Sequence, residues 1–128
     1  MPHPVPPVLL VIAILLTKHC LFDFVLQTQF QLSNKYRYAH PGGVLHGMLH
    51  ALGTAAAFLV AMPAPIVALM VLGGEFLAHY HIDWAKEQIL RRTGWTHSDA
   101  RYWRLFGADQ LLHGWTYVVI AWVLPAGR

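Results

Sequence analysis

Four pairs of ionisable residues, each spaced four positions apart, lie within the most hydrophobic stretches of the chain. They are His19/Asp23, His46/His50, His79/Asp83 and Asp109/His113. A spacing of four places both members of a pair on one face of an α-helix, about one turn apart. Imidazole nitrogens and carboxylate oxygens are ligands that zinc, manganese and iron accept. The pairs therefore predict a divalent-metal site, with zinc as the leading candidate.

Eight ligands are enough for two ions. A two-metal centre generates hydroxide near neutral pH and stabilises charge on a phosphoryl or acyl group. Further polar residues accompany the pairs along the chain. We expect Gln27 and Gln110 to support the ligands. As an enzyme, the protein would use Lys86 to hold a phosphate and Glu75 as a catalytic base.

Two other interpretations of the pairs stay open. Hydrogen-bonded polar pairs can lock helices together within a membrane. Buried ionisable groups can also form a proton- or cation-conducting path. Haem ligation by two histidines is disfavoured, because haem does not require a carboxylate beside each histidine. Four pairs at matched depth favour a shared site over simple locking, since each buried ionisable group carries its own insertion cost.

The composition indicates the class of protein that holds these residues in place. The chain has 128 residues, of which 56% are hydrophobic and only 12% are charged, whereas soluble domains are roughly one quarter charged. We therefore expect a single all-α integral membrane domain over residues 1–128, with the lipid bilayer as its surroundings. The net charge of +3 does not indicate nucleic acid, because the basic residues cluster between hydrophobic segments, as membrane orientation requires.

The hydrophobic pattern predicts four transmembrane helices in an antiparallel bundle, at about 7–31, 44–62, 65–92 and 109–124. The connection after Met62 is so short that it forces a hairpin. Arginines alternate with aromatic residues near the fourth helix, which predicts a separate interfacial helix at about 98–106 on the cytoplasmic side. Gly73 and Gly74 would allow close helix contact. Four short helices enclose little volume, which favours a homo-oligomer.

Basic residues predict the orientation. Seven lie in two connections on the same side of the bundle: Lys35, Arg37, Lys86, Arg91, Arg92, Arg101 and Arg104. The other side holds only Arg128. The positive-inside rule then predicts a multi-pass protein of the inner (cytoplasmic) membrane with both termini outside and the pairs near the cytoplasmic side. The stretch 91–106 is also a candidate contact for anionic phospholipid headgroups.

The order of these motifs resembles a known family. The resemblance covers about residues 16–122 and rests on His19-x-x-x-Asp23-Phe24-x-Leu26-Gln27, Lys35, His46/His50, His79-x-x-x-Asp83-x-x-Lys86 and Asp109-Gln110-x-x-His113. The family consists of small bacterial integral-membrane proteins catalogued as domain of unknown function 3307. Membership implies a membrane protein and implies no activity.

The helical pairs are also similar to the ligand pattern of zinc-dependent phospholipase C and of predicted membrane-bound metal-dependent hydrolases. That similarity implies metal ligands at His19, Asp23, His79, Asp83, Asp109 and His113, and a phosphorylated or lipidic substrate. The chain has no nucleophile motif such as GxSxG, so a hydrolase would use an activated water. The non-enzymatic alternative is a small transporter, channel or metal-binding membrane subunit.

Overall fold

The computed structural model describes residues 5–124, and within this range the regular structure is entirely helical. The α-helices are α1 Pro7–Cys20, α2 Gln29–Leu32, α3 Pro41–Thr54, α4 Phe58–Ala61, α5 Pro65–Thr93 and α6 Ala100–Val123. A π-helical turn, Leu21–Val25, extends α1, and a 3₁₀ turn, Ala55–Ala57, joins α3 to α4. Arg128, which entered the prediction of orientation, lies outside the described residues.

Three continuous helical stretches are long and apolar enough to cross a membrane: Pro7–Val25, Pro41–Ala61 and Pro65–Thr93. The last two correspond to the predicted helices 44–62 and 65–92. The prediction of an all-helical protein is confirmed, and the three apolar stretches are consistent with a membrane protein. The fourth span and the antiparallel arrangement stay predictions. α6 has a more polar first half, which carries Arg101, Arg104 and Asp109.

The structure divides the predicted helix 7–31 into α1, the π-helical turn and α2. α2 starts with a capping box: Thr28 N donates to Gln31 Oε1 at 2.8 Å, and Gln31 N donates to Thr28 Oγ1 at 3.4 Å. A capping box satisfies amide groups at a helix start, so it supports a new helix here. The chain therefore leaves the first helix after Val25, before the basic loop begins.

The prediction of a separate interfacial helix at 98–106 needs correction. α6 runs without interruption from Ala100 to Val123 and includes both this segment and the predicted fourth helix. Gly107 does not break it, because one glycine in a helix interior costs only about 1 kcal/mol relative to alanine. The basic first turns of α6 are therefore rigidly joined to Asp109 and His113.

The helices pack in a closed order, because α1 and α5 each contact both α3 and α6. α1 and α3 approach closely at Gly53, where an added Cβ would overlap the Phe22 ring. The predicted close contact at Gly73 and Gly74 needs correction, since an added Cβ at either would meet nothing within 4 Å. Among the described residues, these two glycines line open surface.

Buried residues form two layers. The apolar layer consists of Val11, Leu15, Ala57, Ala61, Val71, Tyr117, Ile120, Ala121 and Leu124. The polar layer draws on the end of α1 and on the middle parts of α3, α5 and α6, where buried histidines and carboxylates lie. The fold thus brings ionisable side chains from four helices to one level of the bundle.

Candidate metal centre

All eight predicted ligands lie in the polar layer, and seven of them are buried while Asp23 is partly exposed. Two sets of side chains place ligand atoms within 4.8 Å of one another and share no member. We call them the first ligand group, Asp23, His46, His50 and His79, and the second ligand group, Asp83, Asp109 and His113. A third set of the same kind, His19, His79 and His113, overlaps both groups.

The first ligand group converges on one carboxylate oxygen. The Nε2 atoms of His46 and His50 each lie 3.0 Å from Asp23 Oδ1. His79 Nε2 lies 3.9 Å from the same oxygen and 3.1 Å from His46 Nε2. A tetrahedral ion bound at zinc–nitrogen distances holds neighbouring ligand atoms about 3.3 Å apart. These four donors therefore fit the coordination of a single divalent ion.

The second ligand group is more loosely spaced. His113 Nε2 lies 3.5 Å from Asp83 Oδ1 and 3.6 Å from Asp109 Oδ1. His113 Nε2 and Asp109 Oδ1 are buried and have no hydrogen-bond partner among the described residues. An unsatisfied buried polar atom costs about 1–3 kcal/mol. A cation between the three side chains would satisfy both atoms.

Asp83 connects the two ligand groups. Its Oδ2 atom lies 3.3 Å from His46 Nε2 and 3.5 Å from His79 Nε2, whereas its Oδ1 atom faces His113. A carboxylate that presents one oxygen to each of two cation positions is suited to bridge them, and inward-facing carboxylates build such centres in helix bundles. Asp83 therefore lies between two groups of side chains that could each hold a metal ion.

His19, a predicted ligand, is engaged in a hydrogen-bond network. Gln110 Nε2 donates to Asp109 Oδ2 at 3.0 Å, so its Oε1 faces His19 Nε2, also at 3.0 Å. An amide oxygen only accepts, so His19 Nε2 carries the hydrogen and His19 Nδ1 accepts from the Tyr117 hydroxyl at 2.9 Å. The same Nε2 lies 3.3 Å from Asp23 Oδ2. In this arrangement His19 orients Asp23 and offers no Nε2 lone pair to an ion.

The two predicted supporting glutamines both contact ligand side chains. Gln27 Nε2 lies 3.2 Å from His46 Nδ1 and 3.3 Å from His46 Nε2, the ring nitrogen that faces Asp23. Gln110 contacts Asp109 and His19, as described above. Contacts of this kind help to hold the orientation of a ligand side chain. Tyr117 acts on His19 in the same way, and the sequence analysis did not single it out.

Two lysines flank the carboxylates of the second ligand group. Lys86 Nζ lies 3.3 Å from Asp109 Oδ2 and 3.7 Å from Asp83 Oδ1. Lys35 Nζ lies 2.7 Å from Asp83 Oδ2. Lys86 was predicted to hold a phosphate, whereas Lys35 was assigned to a cytoplasmic loop and to the family's motif, with no role at the site. No periodic pattern could have placed Lys35 here, because it reaches the site from an irregular segment.

Glu75 lies beside the ligand groups and belongs to neither. It forms a buried ion pair with Lys18, and Lys18 Nζ also donates to the backbone oxygen of His50 at 2.9 Å. Glu75 Oε2 has no hydrogen-bond partner among the described residues. Glu75 is therefore connected to the first ligand group through Lys18, and its role as a base stays a prediction.

Comparison with known proteins assigns the family. A family model described as protein of unknown function (DUF3307) matches residues 11–126. The chain belongs to the DUF3307 family. The resemblance drawn from the order of the motifs is confirmed. No curated protein and no solved structure shows significant similarity to the chain, so the likeness to membrane-bound metal-dependent hydrolases stays a prediction.

Charged groups of both signs surround the centre of this DUF3307 protein. Four carboxylates, those of Asp23, Glu75, Asp83 and Asp109, face the three ammonium groups of Lys18, Lys35 and Lys86. One negative charge is left over when the imidazoles are neutral. Because an uncompensated buried charge is strongly destabilising, either a bound cation or a proton on one imidazole would compensate this charge.

Proposed function

We propose that this protein is a metalloprotein of the inner membrane with a two-ion centre near the cytoplasmic face. The observation that carries the proposal is the pair of ligand groups connected by Asp83. Mixed imidazole and carboxylate ligands suit zinc, and they also suit manganese or iron. Zinc is our first choice because the spacing in the first ligand group fits tetrahedral coordination.

In this proposal α6 crosses the membrane beside the three apolar helices, and neighbouring helices run antiparallel. Its 24 residues correspond to about 36 Å of helix. Support comes from the layers, because the end of α6 packs with the beginning of α1 in the apolar layer. The positive-inside rule then places the polar layer near the cytoplasm and both termini outside.

The proposed activity is hydrolysis of a phosphorylated substrate. Bound divalent ions would polarise the phosphoryl group and lower the pKa of a water molecule. The water oxygen bonds to phosphorus, the bond from phosphorus to the leaving alcohol breaks, and the alcohol takes up a proton. Glu75 is our proposed acceptor for the proton that the water loses. Lys86 would hold the phosphate as a point charge.

The two lysines favour this activity over cation conduction. Lys35 and Lys86 place ammonium groups against Asp83 and Asp109. A fixed ammonium group attracts a phosphate, and it stabilises negative charge that develops on a phosphoryl group. Cation conduction gives these two ammonium groups no comparable role. The vesicle assay described below tests the transporter and channel alternatives.

Elemental analysis of the detergent-purified protein tests the metal centre. We expect two ions per chain in the wild type, and loss of metal in Asp83→Asn, which weakens the bridging carboxylate. His97→Ala is the control, because His97 lies in the exposed turn before α6, away from the ligand groups. A folded wild type without tightly bound metal would contradict the proposal.

A second assay distinguishes hydrolysis from ion transport. Metal-loaded protein should hydrolyse a chromogenic phosphodiester, and Asp83→Asn should abolish that hydrolysis while His97→Ala retains it. Protein that holds metal, lacks hydrolysis and carries ions across vesicle membranes would instead identify a transporter.

A further inference from the structure

An apolar groove runs along the outer surface between α5 and α6. Its larger part, about 500 Å³, is lined by Gly74, Ala78 and Ile82 of α5 and by Trp115 of α6, among other residues. A neighbouring part of about 300 Å³ shares Ile82 and reaches Lys86 and Asp109. The groove therefore leads from the apolar half of the bundle to the second ligand group.

The groove is open because α5 has a glycine in its floor. An added Cβ at Gly74 would meet nothing within 4 Å. From Gly74 to Lys86 the helix rises about 18 Å, and the hydrocarbon depth of one leaflet is about 15 Å. An acyl chain of one leaflet therefore matches the length of the groove, and the groove lies on a helix that is apolar enough to span the membrane.

The cytoplasmic end of the groove is charged. Lys86 lines this end with a side chain that is 14% exposed, and its Nζ lies 3.3 Å from Asp109 Oδ2. A lysine ammonium binds phosphate as a point charge. A lipid whose chain fills the groove would therefore hold its phosphate beside Lys86 and a carboxylate of the second ligand group.

The loop between α2 and α3 covers another side of the centre. Ala39 N donates to the Tyr80 hydroxyl at 2.6 Å, and Gln88 Nε2 donates to Tyr36 O at 2.6 Å. These bonds fasten the loop to α5 while Lys35 reaches Asp83 from the same loop. The groove consequently offers a substrate from the bilayer a more direct approach to the second ligand group than this covered side does.

We propose that the α5–α6 groove binds one acyl chain of an anionic phospholipid of the cytoplasmic leaflet and presents its phosphate to Lys86 and the second ligand group. The proposal rests on the proposed function and names its substrate class. Two features point to this occupant: charge complementarity at Lys86, and continuity of an apolar groove with the candidate metal centre.

Filling the groove tests the proposal. Gly74→Leu places a side chain in the groove, whereas Gly73→Leu adds the same side chain at a neighbouring open position that does not line the groove. The probe is phosphatidic acid with a nitroxide on its acyl chain, in phosphatidylcholine nanodiscs. The immobilised fraction is measured by electron paramagnetic resonance, with equally labelled diacylglycerol as the lipid without phosphate.

We expect the wild type and Gly73→Leu to immobilise phosphatidic acid more than diacylglycerol, and Gly74→Leu to lose most of that immobilised fraction. Lys86→Met should reduce the immobilised fraction of phosphatidic acid to that of diacylglycerol. Unchanged immobilisation in Gly74→Leu would overturn the proposal. A second outcome would also overturn it: Gly74→Leu changes the protein from dimer to monomer while the immobilised fraction of lipid stays the same. The groove would then bind a second copy of the chain.

Elemental analysis of the same samples keeps the two proposals separate. Metal retained in Gly74→Leu together with unchanged lipid immobilisation rejects the groove and leaves the metal centre standing. Absence of metal from the wild type rejects the proposed function even where the lipid is immobilised.

Discussion

Lys35 Nζ lies 2.7 Å from Asp83 Oδ2, so a loop lysine neutralises the carboxylate that faces both ligand groups. Lys35 is only 4% exposed. Removing one partner of a buried ion pair costs about 3–5 kcal/mol, because the other charge stays buried without compensation. A divalent ion at Asp83 would supply the same compensation. The stability of the loop contact and the binding of metal are therefore coupled.

The first prediction concerns this coupling. Lys35→Met should lower the free energy of unfolding by about 3 kcal/mol in metal-free protein. The loss should be much smaller in metal-loaded protein, because the ion then compensates Asp83. Denaturant unfolding in detergent, followed by circular dichroism, measures both values. Arg37→Met, at an exposed position of the same loop, is the control. Equal losses with and without metal would contradict the coupling.

The second prediction separates the two ion positions. His50 belongs only to the first ligand group, and His113 serves the second. His50→Ala and His113→Ala should each lower the metal content from two ions per chain to one, and the double variant should bind none. Elemental analysis measures the content, with His97→Ala in the exposed turn before α6 as the control. Complete loss of metal in both single variants would indicate one shared ion.

The third prediction compares two glycines of the membrane helices. Alanine stabilises a helix interior by about 1 kcal/mol relative to glycine. Gly73→Ala should realise this gain, because its Cβ would meet nothing within 4 Å. Gly53→Ala should instead lower the unfolding free energy by about 1–3 kcal/mol, as overpacking does, since its Cβ would overlap Phe22. Thermal unfolding measures both, and a gain at Gly53 would show that α1 and α3 can separate without cost.

The fourth prediction concerns topology. Cys20 is the single cysteine of the chain, so Cys20→Ser provides a background for labelling. Ala64→Cys lies in the exposed hairpin before α5, and Ser98→Cys lies in the exposed turn before α6. A membrane-impermeant maleimide should label Ala64→Cys in intact cells, and Ser98→Cys only after the membrane is opened. The opposite result would invert the proposed orientation.

Residue spacing alone was sufficient to predict that the two members of each pair lie on the same helix face. A separation of four has one spatial meaning on a helix, so His79 and Asp83 had to share a face once α5 was helical. The start of α2 was also readable, because Thr28 followed by Gln31 is a capping-box sequence. The hydrophobicity of the segment was given more weight than this capping-box sequence, so one long helix was predicted at 7–31.

Partners that are distant in sequence escaped prediction. Lys35 contacts Asp83 across 48 positions from a loop without periodicity, and Lys18 pairs with Glu75 on another helix. Nothing in the local pattern around either lysine encodes its partner. The continuity of α6 was missed for a different reason. The alternation of arginines with aromatic residues was interpreted as a separate interfacial helix, although polarity can change along one helix as it leaves the bilayer.

The polar layer also has a consequence for how this protein is made. A charged residue near the centre of a single helix opposes membrane insertion by about 2.5–3.5 kcal/mol, and α5 alone carries Glu75, Asp83 and Lys86. Their partners lie on α1, α6 and the loop that contains Lys35. α5 is therefore poorly suited to enter the lipid alone during synthesis at the ribosome. Under the proposed topology, we expect the translocation machinery to retain the earlier helices until α6 emerges, so that the charged residues of α5 enter the lipid together with their partners.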